Sequence, residues 1–237
     1  MPLKWAHKEG LLSKKFNPSN SIPIIRNNEI QHRGILTETE EKSLLDYKWE
    51  NKKAYLGFEI AYYCGLRLGE IRALRFSDFV NGFIKVKRAY NDIDKLKETK
   101  TGACRSVPCP DSLVKQIMDF KKENKLMERD LIFYNTSNKA IPVDENYFTR
   151  NFYSVLKKLK IPRIRFNSET NLTETICFHS LRHQTATRWV SSGLDLRVIA
   201  KAMGHSPLIL QQRYSNHYDQ EIMNDFRKKL IEKGIFE

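Results

Sequence analysis

Cysteine is scarce in this sequence: 237 residues hold four, Cys64, Cys104, Cys109 and Cys177, with no framework spacing among them. That excludes a small disulfide-stapled secreted domain and fits a reducing cytoplasm. Cys104 and Cys109 could be cross-strand neighbours, but a structural disulfide is not the favoured reading. Cys177, His179 and His183 look superficially like metal ligands. No second cysteine pair completes a tetrahedral set, so zinc is not expected. Long apolar runs are missing too. Nothing approaches the roughly 18 consecutive apolar residues that a membrane helix needs. The opening MPLKWAHKEG lacks the apolar stretch of a secretory signal. Neither internal repeats nor low-complexity tracts are visible, so the chain is not read as a repeat array.

What is present is positive charge. Lys and Arg number 41 against 28 Asp and Glu, a net charge of +13. A polyanionic partner follows, and nucleic acid is the commonest one; a protein that is merely basic is the plainer alternative. With 41% apolar and 29% charged residues the chain is otherwise an ordinary globular one. Its length suits one large domain or two small ones.

Residues 1–20 read as a short amphipathic helix followed by the turn-rich NPSNSIP. About thirty residues cannot bury a core alone, so this segment is expected to be a linker or the stub of another domain. The compact part opens at ILTETEEKSLL, where Thr37 and Glu40 form a capping box for a helix over about 38–47. An apolar helix in KKAYLGFEIAYYCG stops at Gly65, and GEIRALRFSDF reads as another short helix. In FVNGFIKVKRAY, Asn81-Gly82 between β-type runs is a hairpin signal. CRSVPCP is a third strand, after a polar loop NDIDKLKETKTGA. Helices then recur in DSLVKQIMDFKKEN, DENYFTRNFYSVLKKLK, HSLRHQTATRWVSSG, DLRVIAKAMG and PLILQQRYS. The end, QEIMNDFRKKLIEKGIF, spaces Ile222, Phe226 and Leu230 on one helical face. The expected fold is mainly α with a small three-stranded antiparallel sheet, an α+β class.

Several polar residues stand out. Arg67 lies between Leu66 and Leu68, whose burial would anchor it; taken alone, its plainer reading is a pair with Glu70. In HSLRHQTATRW, His179 shares a helical face with Arg182 and with His183, while Leu181, Thr185 and Trp189 form a packing stripe. A positive helix start suits a phosphate; a solvated basic face is the alternative. His205 sits in a turn, with Ser206 and Pro207 suited to open the next helix. Tyr214 and Tyr218 follow, four apart, and spacing alone does not separate them.

A DNA phosphodiester is a poor electrophile, and attack on it builds negative charge on its equatorial oxygens. Arginine forks stabilise that charge best, and one such donor is worth on the order of 3–4 kcal/mol. A tyrosine nucleophile, with a reference pKa of about 10, needs a base or a nearby cation. The leaving 5′-oxygen needs an acid, lysine or histidine. Two arginines, two histidines, a lysine and a tyrosine form a coherent set for phosphoryl transfer without metal.

CGLRLGE, HSLRHQTATRW, and MGHS followed nine residues after its histidine by Tyr214 resemble, in order and spacing, the motifs of the tyrosine recombinases, or phage-type integrases. The resemblance implies a catalytic domain at 34–217, a tail helix at 218–237, and at 1–33 the last helix of a core-binding domain plus its linker. It implies that Arg67 and Arg182 grip the scissile phosphate, that His205 contacts a phosphate oxygen, and that His179 is the general base. Lys100, in KTG, matches the lysine that protonates the leaving oxygen better than Lys95 or Lys97; Glu70 matches a supporting acid. Ser180 departs from the family, which often carries Asp there. Tyr214 stands where the family's nucleophile falls, whereas Tyr218 follows the helix stop Ser215-Asn216. The implied reaction is site-specific recombination of double-stranded DNA through a 3′-phosphotyrosyl link, with no cofactor, metal or ATP. The implied assembly is a monomer when free and a tetramer on DNA, with the tail docking on a neighbouring protomer, in the cytoplasm at the nucleoid. A type IB topoisomerase-like relaxase and a non-catalytic DNA-binding protein of the same fold are the alternatives. Some eight helical residues rise about 12 Å, so Tyr214 need not lie beside His205 in an isolated chain.

Overall fold

A computed structural model describes residues 9–10, 32–98, 104–168, 171–206, 208 and 227. The chain divides into two units, Met1–Gln31 and His32–Glu237. In the first, Glu9 and Gly10 form a turn; the expected N-terminal helix otherwise lies outside the described residues. So do Lys100, Tyr214 and Tyr218, and the C-terminal helix apart from Arg227.

The second unit begins with a two-residue strand, β1 (His32–Arg33). Helix α1 (Glu38–Asp46) follows, opened by Thr37 as the sequence predicts: Thr37 Oγ1 accepts from the Glu40 amide, and the Glu40 carboxylate accepts from the Thr37 amide. Helix α2 (Lys52–Glu59) runs on into one π-helical turn, Ile60–Cys64. Its apolar residues face nearly all round: Leu56, Phe58, Ile60, Ala61 and Cys64 are all buried. Such a helix belongs in the middle of a core, and Phe58 there stacks against Trp49 and Phe152. Helix α3 (Leu68–Arg72) is shorter than the stretch GEIRALRFSDF suggests. It ends at Ala73, Arg75 makes an isolated bridge to Leu131, and Phe76–Asp78 is a separate 3-10 turn.

The expected three-stranded antiparallel sheet is present, in the order β2 (Phe79–Val80), β3 (Phe83–Val86), β6 (Arg105–Pro108). Asn81 and Gly82 join the first two with positive φ at both positions, as a type I′ turn requires. Ile84 faces Val107, and both are fully buried. The end of the expected β-type run, β4 (Arg88–Asn91), pairs with β5 (Lys95–Glu98), so that the start of the polar stretch expected to be a loop is part of a hairpin. An Asx turn closes it: Asn91 Oδ1 accepts from the amides of Ile93 and Asp94.

Beyond β6 come α4 (Asp111–Glu123) and α5 (Tyr147–Lys158). The latter starts three residues later than DENYF suggests, because Asp144 Oδ1 accepts from the Asn146 amide and turns the chain first. A second hairpin, unpredicted, joins β7 (Ile164–Asn167) to β8 (Leu172–Thr175), and β1 adds parallel to β8. Finally, α6 (Ser180–Ser191) and α7 (Leu196–Met203) pack through a small cluster of Ala186, Val190, Ile199, Ala200 and Met203. The main core lies among α2, α4, α5, the β2–β3–β6 sheet and the start of α6. No helix among the described residues is long and apolar enough to cross a membrane.

Candidate active site

The site begins where the π turn ends. Gly65 closes that turn in the left-handed conformation, φ 62°, which side chains disfavour. A Cβ there would also lie 3.1 Å from Met203 Sδ. The wider π turn opens its carbonyls to partners from another helix. The Tyr62 carbonyl accepts from Thr185 Oγ1 (2.7 Å) and from Arg188 Nη2, and the Ala61 carbonyl accepts from Thr185 Oγ1 (3.2 Å). These bonds fix α6 against the π turn, with Leu181 and Thr185 fully buried as the packing stripe predicts.

Arg182 is carried inward by that packing and is 3% exposed. Its Nη1 donates to the Gly65 carbonyl at 2.5 Å. Its Nη2 donates to the Met203 carbonyl and lies 3.0 Å from His205 Nε2. Arginine has no acceptor, so His205 Nε2 accepts in this contact. His205 is placed by Gly204, which ends α7 at φ 64°, and by its own amide, which donates to the Ala200 carbonyl at 2.9 Å.

Arg67 is the residue before α3. Its amide donates to Glu70 Oε2 (2.8 Å), its Nη1 to Glu70 Oε1 (3.1 Å) and its Nη2 to the Gly204 carbonyl (3.0 Å). The pair with Glu70 read from the sequence therefore exists, yet the Arg67 side chain stays 40% exposed. Arg67, Arg182 and His205, far apart in sequence, are joined through the Met203–His205 turn.

Glu70 is 4% exposed and carries a second cation that sequence reasoning missed. Arg105 of β6 donates Nη1 to Oε1 and Nη2 to Oε2, at 2.8 and 2.7 Å. Burial pushes the Glu70 carboxyl up, but the Arg105 and Arg67 hydrogen bonds and charges outweigh it and hold the group below the ordinary carboxylate range. One carboxylate against two guanidinium groups leaves this trio with one net positive charge. A signal for Arg105 was available: it is in phase with the buried Val107 on a strand of alternating faces, and an inward-pointing arginine needs a buried partner.

His179 stands at the N-cap position of α6, just outside the helix proper, with no capping hydrogen bond from its side chain. It lines a cavity of about 300 Å³ with Arg33, Leu66, Leu68, Tyr153 and Phe178. Leu66 and Leu68 are the chain neighbours of Arg67; the arginine itself does not line the cavity. Ser180 is buried, and its Oγ accepts from the Cys177 amide at 3.1 Å. It thus fixes the turn into α6. Among the described residues, no three His, Cys, Asp or Glu side chains converge to hold a metal ion.

These positions lie inside a match to the phage integrase family that spans residues 34–221. The chain is 27% identical to a tyrosine recombinase of Pseudothermotoga lettingae over 219 residues, 91% of this chain and 68% of the relative. It is 27% identical to the tyrosine recombinase XerD of Rickettsia bellii over 233 residues, 92% of this chain and 73% of that protein. Its fold is similar to that of the Tn1549 transposon integrase, solved with transposon right end DNA, at a TM-score of 0.65 and 20% identity, covering 92% of this chain and 70% of the other.

Proposed function

The chain belongs to the phage integrase family, and we propose that it is a site-specific DNA recombinase that cuts and rejoins strands through a tyrosine. The observation that carries this reading is the convergence of Arg67, Arg182 and His205 on one turn. Two guanidinium groups and an imidazole from separate parts of the chain are what a phosphate with growing negative charge calls for. Binding without chemistry does not need a buried, preorganised guanidinium. The recombinases and the integrase named above favour recombination over simple relaxation of supercoils.

In the proposed reaction Tyr214 Oη attacks the phosphorus and His179 takes its proton. The bond to the 5′-oxygen breaks, and Lys100 supplies the proton that makes it a 5′-hydroxyl. Arg67, Arg182 and His205 bind the non-bridging oxygens throughout, and Glu70 orients Arg67. A partner strand's 5′-hydroxyl then attacks the phosphotyrosyl ester and releases Tyr214. The ester keeps the bond energy, so no ATP is consumed. Double-stranded DNA and further protomers are the partners: a monomer when free, a tetramer on DNA, the 218–237 tail docking in trans, all in the cytoplasm at the nucleoid.

The test is covalent trapping. A duplex selected from a random-sequence pool by affinity for the full chain is nicked beside the candidate scissile phosphate, so that the cleaved end diffuses away. The wild-type protein is expected to form an SDS-resistant adduct, Tyr218→Phe to retain it and Tyr214→Phe to lose it. An adduct that persists in Tyr214→Phe overturns the assignment.

A further inference from the structure

Arg105 takes no part in the chemistry above, yet it touches both Glu70 and the chain that leads to His205. Both Nη atoms bind Glu70, at 2.8 and 2.7 Å, and Nε donates to the Ala202 carbonyl at 2.8 Å. Its guanidinium packs against Gly204, where an added Cβ would lie 3.3 Å from Arg105 Cζ. The side chain is 11% exposed. One planar group therefore links β6, the end of α7 and the start of α3. Glu70, its counter-ion, also holds the amide and guanidinium of Arg67.

The turn that carries His205 is also held by Arg67, through the Gly204 carbonyl, and by Arg182, through the Met203 carbonyl. Those two arginines are the groups that an incoming phosphate would recruit. As their N–H groups pass from carbonyl oxygens to phosphate oxygens, their hold on the turn weakens. The Arg105 bonds are committed to a buried carboxylate and to the Ala202 carbonyl, outside that exchange.

We infer that Arg105 is a positioning residue, which keeps His205 and Arg67 in register while the phosphate displaces the other bonds of the turn. The inference rests on the recombinase reading. A group misplaced by about 1 Å costs roughly 100-fold in rate, whereas ground-state DNA binding draws on many other contacts.

Arg105→Lys keeps a cation on Glu70 but lacks the planar fork that reaches both oxygens and the Ala202 carbonyl at once. With the selected nicked duplex, it is expected to form the adduct roughly tenfold more slowly, at a duplex affinity within about threefold of wild type. The double variant R105Q/E70Q removes both charges together, so no buried charge is stranded. Its expected loss is roughly 100-fold in adduct rate, again at near-normal affinity. Adduct rates within about twofold of wild type in Arg105→Lys, or affinity falling in step with rate, overturn the inference. Tyr214→Phe run alongside separates the two ideas. A wild-type protein that forms no adduct removes the recombinase reading itself, and an adduct in Tyr214→Phe removes the nucleophile assignment. Its absence there, with Arg105→Lys at full rate, removes only the role of Arg105.

Discussion

Glu59 is a carboxyl group that the proposed chemistry leaves unused. It sits 4% exposed where α2 passes into the π turn. Oε1 accepts from Gln116 Nε2 at 3.2 Å, while Oε2 has no hydrogen bond of ordinary geometry among the described residues. Burial pushes this carboxyl above the ordinary range, and the Gln116 and Tyr55 side chains offset only part of that. The folded state therefore binds the proton more tightly than the unfolded chain, and the protein loses stability as pH rises through the folded pKa. Glu59→Gln is expected to stabilise the protein by about 1–2 kcal/mol at pH 7.5, with the advantage shrinking as pH falls through the folded pKa and gone below 4.5, the ordinary value. Urea unfolding at both pH values checks this. A variant less stable than wild type at pH 7.5 would show that the charge is compensated.

At the scale of elements, the β4–β5 hairpin depends on α3. Tyr90 crosses so close that a Cβ on Gly69 would lie 2.8 Å from the Tyr90 carbonyl oxygen. Arg72, 2% exposed, donates Nε to the Val143 carbonyl and Nη2 to Asp92 Oδ1, and stacks under the Tyr90 ring. The Arg72 bond draws the Asp92 carboxyl below its ordinary value, so the tie holds at neutral pH and is lost as pH falls through the folded pKa. The hairpin leads into the segment containing Lys100, the proposed acid. Asp92→Asn should therefore loosen residues 88–98, seen as faster amide hydrogen exchange there, with little change elsewhere. It should also slow adduct formation on ordinary DNA but not on a duplex with a 5′-bridging sulfur, whose leaving thiolate needs no acid. Equal slowing on both duplexes would detach the hairpin from the proton-transfer step.

This hairpin also marks where the sequence was readable. The β2–β3 turn was legible because Asn81-Gly82 leads into Ile84 and Val86, and both of these point into the core. The β4–β5 pair carries no such alternation: Arg88 faces Glu98 and Asn91 faces Lys95. Its anchor is a buried arginine twenty positions from Asp92 in the chain, and local pattern does not report a tertiary ion pair. The same holds at the site. Arg67, Arg182 and His205 stood out through motif order. Arg105 did not, because its partner Glu70 already had a sufficient explanation in Arg67 three residues away.

At the scale of the whole molecule the net charge of +13 sets the binding of any DNA, and prior commitment to a carboxylate decides which cations take part. A cation that neutralises a phosphate releases counterions, and the slope of log K against log salt changes by about 0.9 for each such contact. Arg67 is 40% exposed and shares its carboxylate with Arg105, so it has charge to give to a phosphate. Arg67→Ala should reduce that slope by about 0.9. Arg105 is 11% exposed and already spans both oxygens of Glu70, so R105Q/E70Q should leave the slope at its wild-type value. Titrations of one duplex from 50 to 200 mM salt measure both. With six or more phosphate contacts the wild-type affinity should fall about 1,000-fold over that range. A flat salt response would remove DNA phosphate as the ligand of this surface. A slope lowered in R105Q/E70Q would instead mean that Arg105 leaves Glu70 for the DNA, and that the link between β6 and the His205 turn opens on binding.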